Sequence, residues 1–257
     1  MGILDGKNGL IFGVANDRSI AAGIARSCHA QGAKMAFTHL PGEKNARRVN
    51  QAVGDFDPTF ISPCDVTDES QITAILKQAK EEMGHIDFLV HSLAFANKDD
   101  LTHQYHMTSK EGFSMALEIS AYSLSAITRE LMAVQPEGKC SIVTMSYLGA
   151  VMAVQNYNIM GVAKAALESA VRYLAIDLGP QKVRVNTISA GAIRTLASMG
   201  ISDFPTMMEI TERRSCLKRT VTQDEVGECA AFLASDMASG ITAQTIYVDG
   251  GYNVAGL

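Results

Sequence analysis

Apolar runs of strand length alternate with longer amphipathic stretches along this chain, and few folds accept that order. Strand-like runs fall near residues 8–13, 33–38, 58–62, 86–91, 139–146, 183–188 and 244–248. Helical patterns lie between them, near 19–31, 43–53, 70–83, 111–134, 157–179 and 223–234. Strands separated by whole helices cannot pair through tight hairpins, so they run parallel and the crossovers cover the sheet. A chain of 257 residues with 47% hydrophobic content is long enough to bury such a sheet on both faces. The expectation is an α/β protein, one doubly wound domain spanning 1–257 with a seven-stranded parallel sheet. The long connection, from Ala192 to Thr206 with Pro205, reads either as a substrate lid near 192–210 or as an ordinary loop.

Composition narrows the partners. Charged residues make up 19%, the net charge is −5, and no lysine or arginine run suggests a nucleic-acid or membrane partner. Met1-Gly-Ile-Leu-Asp-Gly-Lys7 and Gly9-Leu-Ile-Phe-Gly13 are too short and interrupted for a signal peptide or membrane span, so a cytoplasmic location is expected. Cys28, Cys64, Cys140, Cys216 and Cys229 form no Cys-x-x-Cys pair, which argues against disulfides and zinc. His103 and His106 lack a third ligand nearby and read as loop histidines, so no metal is expected.

The chemistry lies in Tyr147-x9-Tyr157-x6-Lys164. Seven residues are two helical turns, so the spacing puts Tyr157 and Lys164 on one face. A phenol can donate to a carbonyl oxygen as charge grows there, and a fixed ammonium favours the same anion or bonds hydroxyl groups. In the short-chain dehydrogenase superfamily the site is Ser-x12-Tyr-x3-Lys. Counted back from Lys164, that pattern calls for tyrosine at 160 and serine at 147, where this chain has Met160 and Tyr147. The usable tyrosine stands three residues upstream.

This rearrangement, Ser146-Tyr-Leu-Gly-Ala150 followed by Tyr157-Asn-Ile-Met-Gly-Val-Ala-Lys164, closely resembles bacterial enoyl-acyl-carrier-protein reductase of the short-chain dehydrogenase type. Gly13-Val-Ala15 with Ser19-Ile20, Cys64-Asp65-Val66, Val183-Arg-Val-Asn186, Ser189-Ala-Gly191 with Ile193-Arg-Thr195, and Val248-Asp-Gly-Gly251 extend the resemblance over nearly the whole chain. It implies a Rossmann-like fold and NADH-dependent reduction of the trans-2 double bond of enoyl thioesters in fatty-acid elongation. The substrate would arrive on an acyl carrier protein, and the enzyme would be a homotetramer. Two rival readings are a carbonyl reductase of the same superfamily, opposed by Met160 and Tyr147, and an inactive cofactor-binding scaffold, opposed by retention of Tyr157 and Lys164.

At the cofactor end, Gly13 follows the first strand and precedes a helix, the arrangement that brings backbone and a helix dipole against a pyrophosphate. The resemblance adds Ala15, Ser19 and Ile20, with Asp65 for the adenine amino group between Cys64 and Val66. It also implies cofactor contacts from Ser92, Leu93, Ala94, Met145, Ala190, Ile193 and Thr195. Thr38-His-Leu-Pro-Gly42 carries neither the cation that favours NADPH nor the acid many NADH enzymes use; Leu40 would border the adenine, and NADH is preferred over NADPH. Lys44 reaches the phosphate position only through a tight turn.

At the reacting end, Tyr157 is the expected oxyanion donor and Lys164 the expected ribose ligand and fixed charge. Tyr147 either packs against the thioester or assists protonation, and Ala96 matches a substrate contact. Methionines 152, 160, 199, 207 and 208 read as an acyl tunnel or as core filler. Arg213, Arg214, Lys218 and Arg219 read as a carrier-protein dock or a solvated face, while Ser202, Pro205 and Thr206 replace the basic residues that relatives carry in the lid. The stretches 111–134 and 157–179, with Leu124, Ile127, Leu131, Ala166, Ala170 and Leu174, offer apolar surface for subunit packing.

Overall fold

The computed structural model describes residues 1–196, 198–200 and 203–255. The strands are β1 (Asn8–Phe12), β2 (Lys34–His39), β3 (Ile61–Pro63), β4 (Phe88–His91), β5 (Ser141–Tyr147), β6 (Arg184–Ala190) and β7 (Thr245–Val248). They form a sheet in the order β3-β2-β1-β4-β5-β6-β7, with every pairing parallel. The helices are α1 (Ile20–Ala30), α2 (Glu43–Val53), α3 (Glu69–Met83), α4 (Lys98–Thr102), α5 (Lys110–Leu117), α6 (Ser123–Val134), α7 (Asn158–Leu178), α8 (Phe204–Arg214) and α9 (Gln223–Ala234). This is the Rossmann-like doubly wound sheet the alternation predicts. Strand order reverses between β1 and β4, which opens a crevice beyond their carboxyl ends.

Both faces of the sheet are buried, and the period of two shows along each strand. Ile11, Val90, Val143 and Ile188 point into a core closed by Ile24 of α1, Val49 of α2 and Val226 of α9. Leu10, Phe12, Leu89, Ile142 and Val185 point the other way, onto Ile72 and Leu76 of α3, Ile127 of α6 and Leu167 of α7. Among the described residues, no helix is long and apolar enough to cross a membrane.

Three details differ from the sequence expectation. The stretch 111–134 is helical throughout, as expected, but its hydrogen bonding widens to a π-helical turn, Glu118–Tyr122, between α5 and α6. The short helix α4 is additional. The loop expected to run to Thr206 ends at Asp203, because Phe204 already begins α8 and Pro205 occupies its first turn, where a missing N–H costs nothing. Ala197, Ile201 and Ser202 of the expected lid lie outside the described residues.

Helices α1 and α9 cross backbone to backbone. A methyl group on Gly227 would lie 2.4 Å from the Gly23 carbonyl oxygen and 2.5 Å from Ser27 Oγ. Gly227→Ala should therefore lower stability by about 1–3 kcal/mol, the usual cost of overpacking. Urea unfolding checks this; an unchanged midpoint would mean the helices part freely.

Candidate active site

Helix α7 turns one stripe toward the sheet: Met160, Ala163, Lys164, Leu167, Glu168 and Val171 are all buried. A core-facing stripe is ordinarily apolar, yet this one carries two ionisable groups a turn apart. Lys164 is 4% exposed, and its Nζ donates to the carbonyl oxygens of Met145 at 2.8 Å and Leu93 at 3.4 Å. These carbonyls belong to β5 and to the segment after β4, so the ammonium bridges two neighbouring strand ends. Burial pulls its pKa down to about 8, and the Glu168 carboxylate opposes that shift.

Tyr157 occupies the cap position immediately before α7 and is 9% exposed. The residues on either side have positive φ, 63° at Asn156 and 39° at Asn158. Asparagine tolerates this region better than most residues, and such strain gathers at functional sites. Asn158 is anchored from outside: its Nδ2 donates to Leu101 O at 3.1 Å and His103 O at 2.6 Å. The resulting turn sets the Tyr157 ring edge-on to Tyr147, with centroids 4.8 Å apart and planes at 66°. Burial, and secondarily Tyr147, push the Tyr157 phenol well above its ordinary range; burial first and Tyr252 next raise Tyr147 to about 12. Both phenols are therefore protonated donors at neutral pH. Met160 is buried beside them and supplies no hydroxyl.

Sequence reasoning missed the groups behind these residues. The π-helical turn aims the fully buried Ser120 at the main chain of Phe95, whose N–H donates to Ser120 Oγ at 3.1 Å. His91, also fully buried, lies 2.8 Å from both Thr144 Oγ1 and Ser123 Oγ. The two hydroxyls also reach main-chain carbonyls, Ser123 donating to Ile119 O at 2.7 Å and Thr144 to His91 O at 3.1 Å. Burial and the nearby Lys164 charge depress His91 to about 3, leaving the ring neutral. Glu168 also escaped notice, although its place four residues after Lys164 was a usable signal.

The other expected positions gather at the carboxyl ends of the strands. Gly13, with φ 101°, lies so close to the β4 exit that a Cβ would fall 2.1 Å from Ser92 O. Ser19 caps α1, accepting from the Ala22 and Gly23 N–H groups, which leaves the amides of Ile20 and Ala21 as the open ones at a helix start that follows exposed Ala15. Leu40 is 60% exposed just beyond β2. Asp65 follows β3 between buried Cys64 and half-buried Val66, and its Oδ1 accepts from Thr67 N–H and Oγ1. Leu93 and Ala94 continue from Ser92, while Met145 and Ala190 are buried near the ends of β5 and β6. Ile193 is buried, and Thr195 exchanges hydrogen bonds with Ser198, donating from its N–H and accepting from the Ser198 N–H and hydroxyl. An anionic dinucleotide fits this edge, where a glycine brings two loops together, a helix start points inward and a buried ammonium has two of three protons engaged.

Around the phenols, Ala96 and Val154 are half-buried and pack on the cluster that contains Tyr157 and Met160. Tyr147 Oη donates to Met207 Sδ of α8 at 3.4 Å, which ties the expected lid region to the site. Met199 and Met152 are exposed, whereas Met160 and Met207 touch the phenols. A groove of about 630 Å³ lies beside α4, between Asn97 and Ser109, next to Ala96 rather than over Lys164. In the basic cluster, Arg219 is committed to Glu225 through bonds of 2.6 and 3.0 Å, and Lys218 Nζ donates to Arg213 O. Leu124, Ile127 and Leu131 are covered by the chain's own sheet, so of the residues expected at subunit contacts only half-buried Ala166, Ala170 and Leu174 have surface to share.

A family profile described as Enoyl-(Acyl carrier protein) reductase matches residues 13–253. The chain is 50% identical over 256 residues to the enoyl-acyl-carrier-protein reductase (NADH) of a Nostoc species, covering 99% of each chain. It is 48% identical over 258 residues to that of Bacillus cereus, covering all of both. A crystal structure of the Bacillus cereus enzyme with NADP+ and indole naphthyridinone superposes with a TM-score of 0.96 at 48% identity over the full length of both chains. The Anaplasma phagocytophilum enzyme in complex with NAD gives 0.94 at 44% identity, covering 100% of this chain and 97% of that one. The profile's span and the near-complete overlap with these relatives place this chain in the enoyl-acyl-carrier-protein reductase family.

Proposed function

We propose that this chain is a cytoplasmic enoyl-acyl-carrier-protein reductase that reduces the trans-2 double bond of enoyl thioesters in fatty-acid elongation, using NADH. The observation that carries the reading is the pair of packed phenols, Tyr147 and Tyr157, beside a buried Lys164, with Met160 where a ketone reductase needs its tyrosine. NADH, when bound, supplies the hydride that adds to the β-carbon of the enoyl group. Negative charge then develops on the thioester oxygen, and Tyr157, buried and protonated, donates a hydrogen bond to it. Lys164 uses two of its protons on Met145 and Leu93, so the third would be free for a ribose hydroxyl of the bound cofactor, and its charge would favour the oxyanion. Tyr147 walls the thioester end, and Ala96 borders the acyl chain.

Gly13, Ala15, Ser19, Ile20, Leu40, Cys64, Asp65, Val66, Ser92, Leu93, Ala94, Met145, Ala190, Ile193 and Thr195 would line the dinucleotide. NADH is the preferred form because 38–42 carries no lysine or arginine, and Lys44 and Arg47 are exposed on α2. The region 192–210 acts as the lid, coupled to Tyr147 through Met207. The family resemblance favours a homotetramer, and Tyr173 and Ile176, 70% and 73% exposed on α7, give the partner an apolar face.

Purified enzyme should oxidise NADH faster than NADPH with a crotonyl or longer enoyl thioester, and should not reduce an acetoacetyl thioester comparably. Faster ketoacyl turnover would sink the reading, and equal use of NADPH would show that Lys44 or Arg47 reaches the phosphate. Tyr157→Phe should lower turnover on the order of 10²–10³-fold, the effect of losing one oxyanion donor; near-normal turnover would exclude the phenol from that role. Light scattering at micromolar concentration should give about four times the 27.5 kDa chain mass, and a monomer mass would refute the tetramer.

A further inference from the structure

We infer that Glu168, held by Ser146, is a positioning residue that keeps Lys164 protonated on its two main-chain carbonyls. This rests on the proposed reductase function. Glu168 is 7% exposed and lies four residues after Lys164 on the sheet-facing stripe of α7, so helix geometry stacks the two side chains. Ser146 is 5% exposed and follows Met145 directly in β5; its hydroxyl donates to Glu168 Oε1 at 2.5 Å. A hydrogen bond this short, from a neutral hydroxyl to a carboxylate, belongs to the stronger class and fixes the acid's rotamer. No Lys164–Glu168 ion pair forms, since the ammonium spends its protons on Met145 and Leu93 instead. The carboxylate thus acts through space, favouring the charge without drawing the ammonium off the strand ends.

Taking an ammonium out of water is costly, and an uncompensated lysine here would lose its proton. The other titratable groups of this region offer little compensation. His91 of β4 is neutral, and the Tyr147 and Tyr157 phenols are protonated, so none of these offers a negative charge. On β7, Tyr247 is raised by burial first and then by the Glu168 and Asp249 carboxylates. Asp249 is itself occupied by the main-chain N–H groups of Gly251 and Asn253 and by the Asn253 side chain. Glu168 is therefore the acid that Lys164 responds to.

The sign of the effect is fixed. Burial holds the Lys164 ammonium down to about 8, below a free lysine, and the Glu168 carboxylate works against that depression. Removing the carboxylate charge takes away the one influence opposing that depression, so the midpoint moves lower still. Glu168→Gln keeps the shape and an acceptor for Ser146 while deleting the charge.

Lysine side chains labelled for NMR, with Lys164 assigned by its loss in Lys164→Arg, would be titrated in the apo protein. Glu168→Gln should lower the Lys164 midpoint by about one pH unit, the low end of what one nearby opposite charge does. The alkaline limb of kcat/KM for an enoyl thioester should shift down by the same amount. An unchanged Lys164 midpoint overturns the proposal, even if the variant is less stable or less active. Should Glu168→Gln not fold, Ser146→Ala decides: freeing the carboxylate should move the midpoint the same way by a smaller step, and Ser146→Thr should restore it, whereas an unshifted Ser146→Ala midpoint refutes the assignment. A wild-type enzyme without enoyl-thioester turnover would overturn the proposed function instead, and the apo titration would still decide the role of Glu168.

Discussion

All seven strands run the same way, and from that constraint the position of the chemistry follows. Parallel strands place every carboxyl end on one edge of the sheet, and the reversal of order between β1 and β4 splits the loops there into two directions. Gly13, Asp65, Ser92, Tyr147 and Ile193 come from five different strands, yet each lies within a few residues of its strand's end. Their convergence needs no long-range signal in the sequence beyond the order of the elements. What the parallel sheet does not supply is a side chain reaching in from the layer above, and α7 provides it with Lys164.

That contribution runs against ordinary packing. The α7 stripe that faces the sheet would be most stable if wholly apolar, and replacing buried charges with hydrophobic groups of similar size is often neutral or favourable. Instead it carries Lys164 and Glu168, with Ser146, Met145 O and Leu93 O meeting their polar atoms. The neutral His91 below them extends the polar patch to Thr144 and Ser123 without adding charge. A polar network in a core is tolerable when its members are satisfied, and this one lies at the strand ends where the proposed reaction would use a fixed cation.

Legibility in the sequence followed the range of the interactions. Strands buried on both faces announce themselves as continuous apolar runs, so all seven were readable; β3 was the poorest, three residues long, because as an edge strand it pairs with β2 alone. Tyr157 and Lys164 were readable from the Tyr-x6-Lys spacing and its family resemblance, although the helical period does not direct Tyr157, which stands just before α7 between two left-handed asparagines. The turn Glu118–Tyr122 was not, since one extra residue in a helical turn leaves no mark on composition, and neither was α4, whose five residues are too few to show a period. Ser120, His91 and Glu168 depend on neighbours 25, 32 and 22 residues away. Leu124, Ile127 and Leu131 were misread as sharing outer surface because an apolar residue on a helix does not say which neighbour covers it.

The displaced tyrosine is a backbone event as much as a substitution. At position 160 a side chain belongs to the regular α7 helix and is directed by it; Met160 takes that place and packs beside Ser120. At 157 the residue stands before the first turn, and its direction is set by the left-handed bends at Asn156 and Asn158 and by the Asn158 anchor on α4. Room for the ring comes from Gly149, where a Cβ would lie 2.4 Å from Tyr157 Cδ1. A glycine, two strained asparagines, Tyr147 and the α4 anchor therefore form one cooperative unit around the phenol. Such a unit holds the phenol rigidly, which suits the oxyanion role proposed for it, since a fixed donor favours developed charge over the ground state. Moving the hydroxyl by side-chain exchange alone would leave that support aimed at the wrong atom.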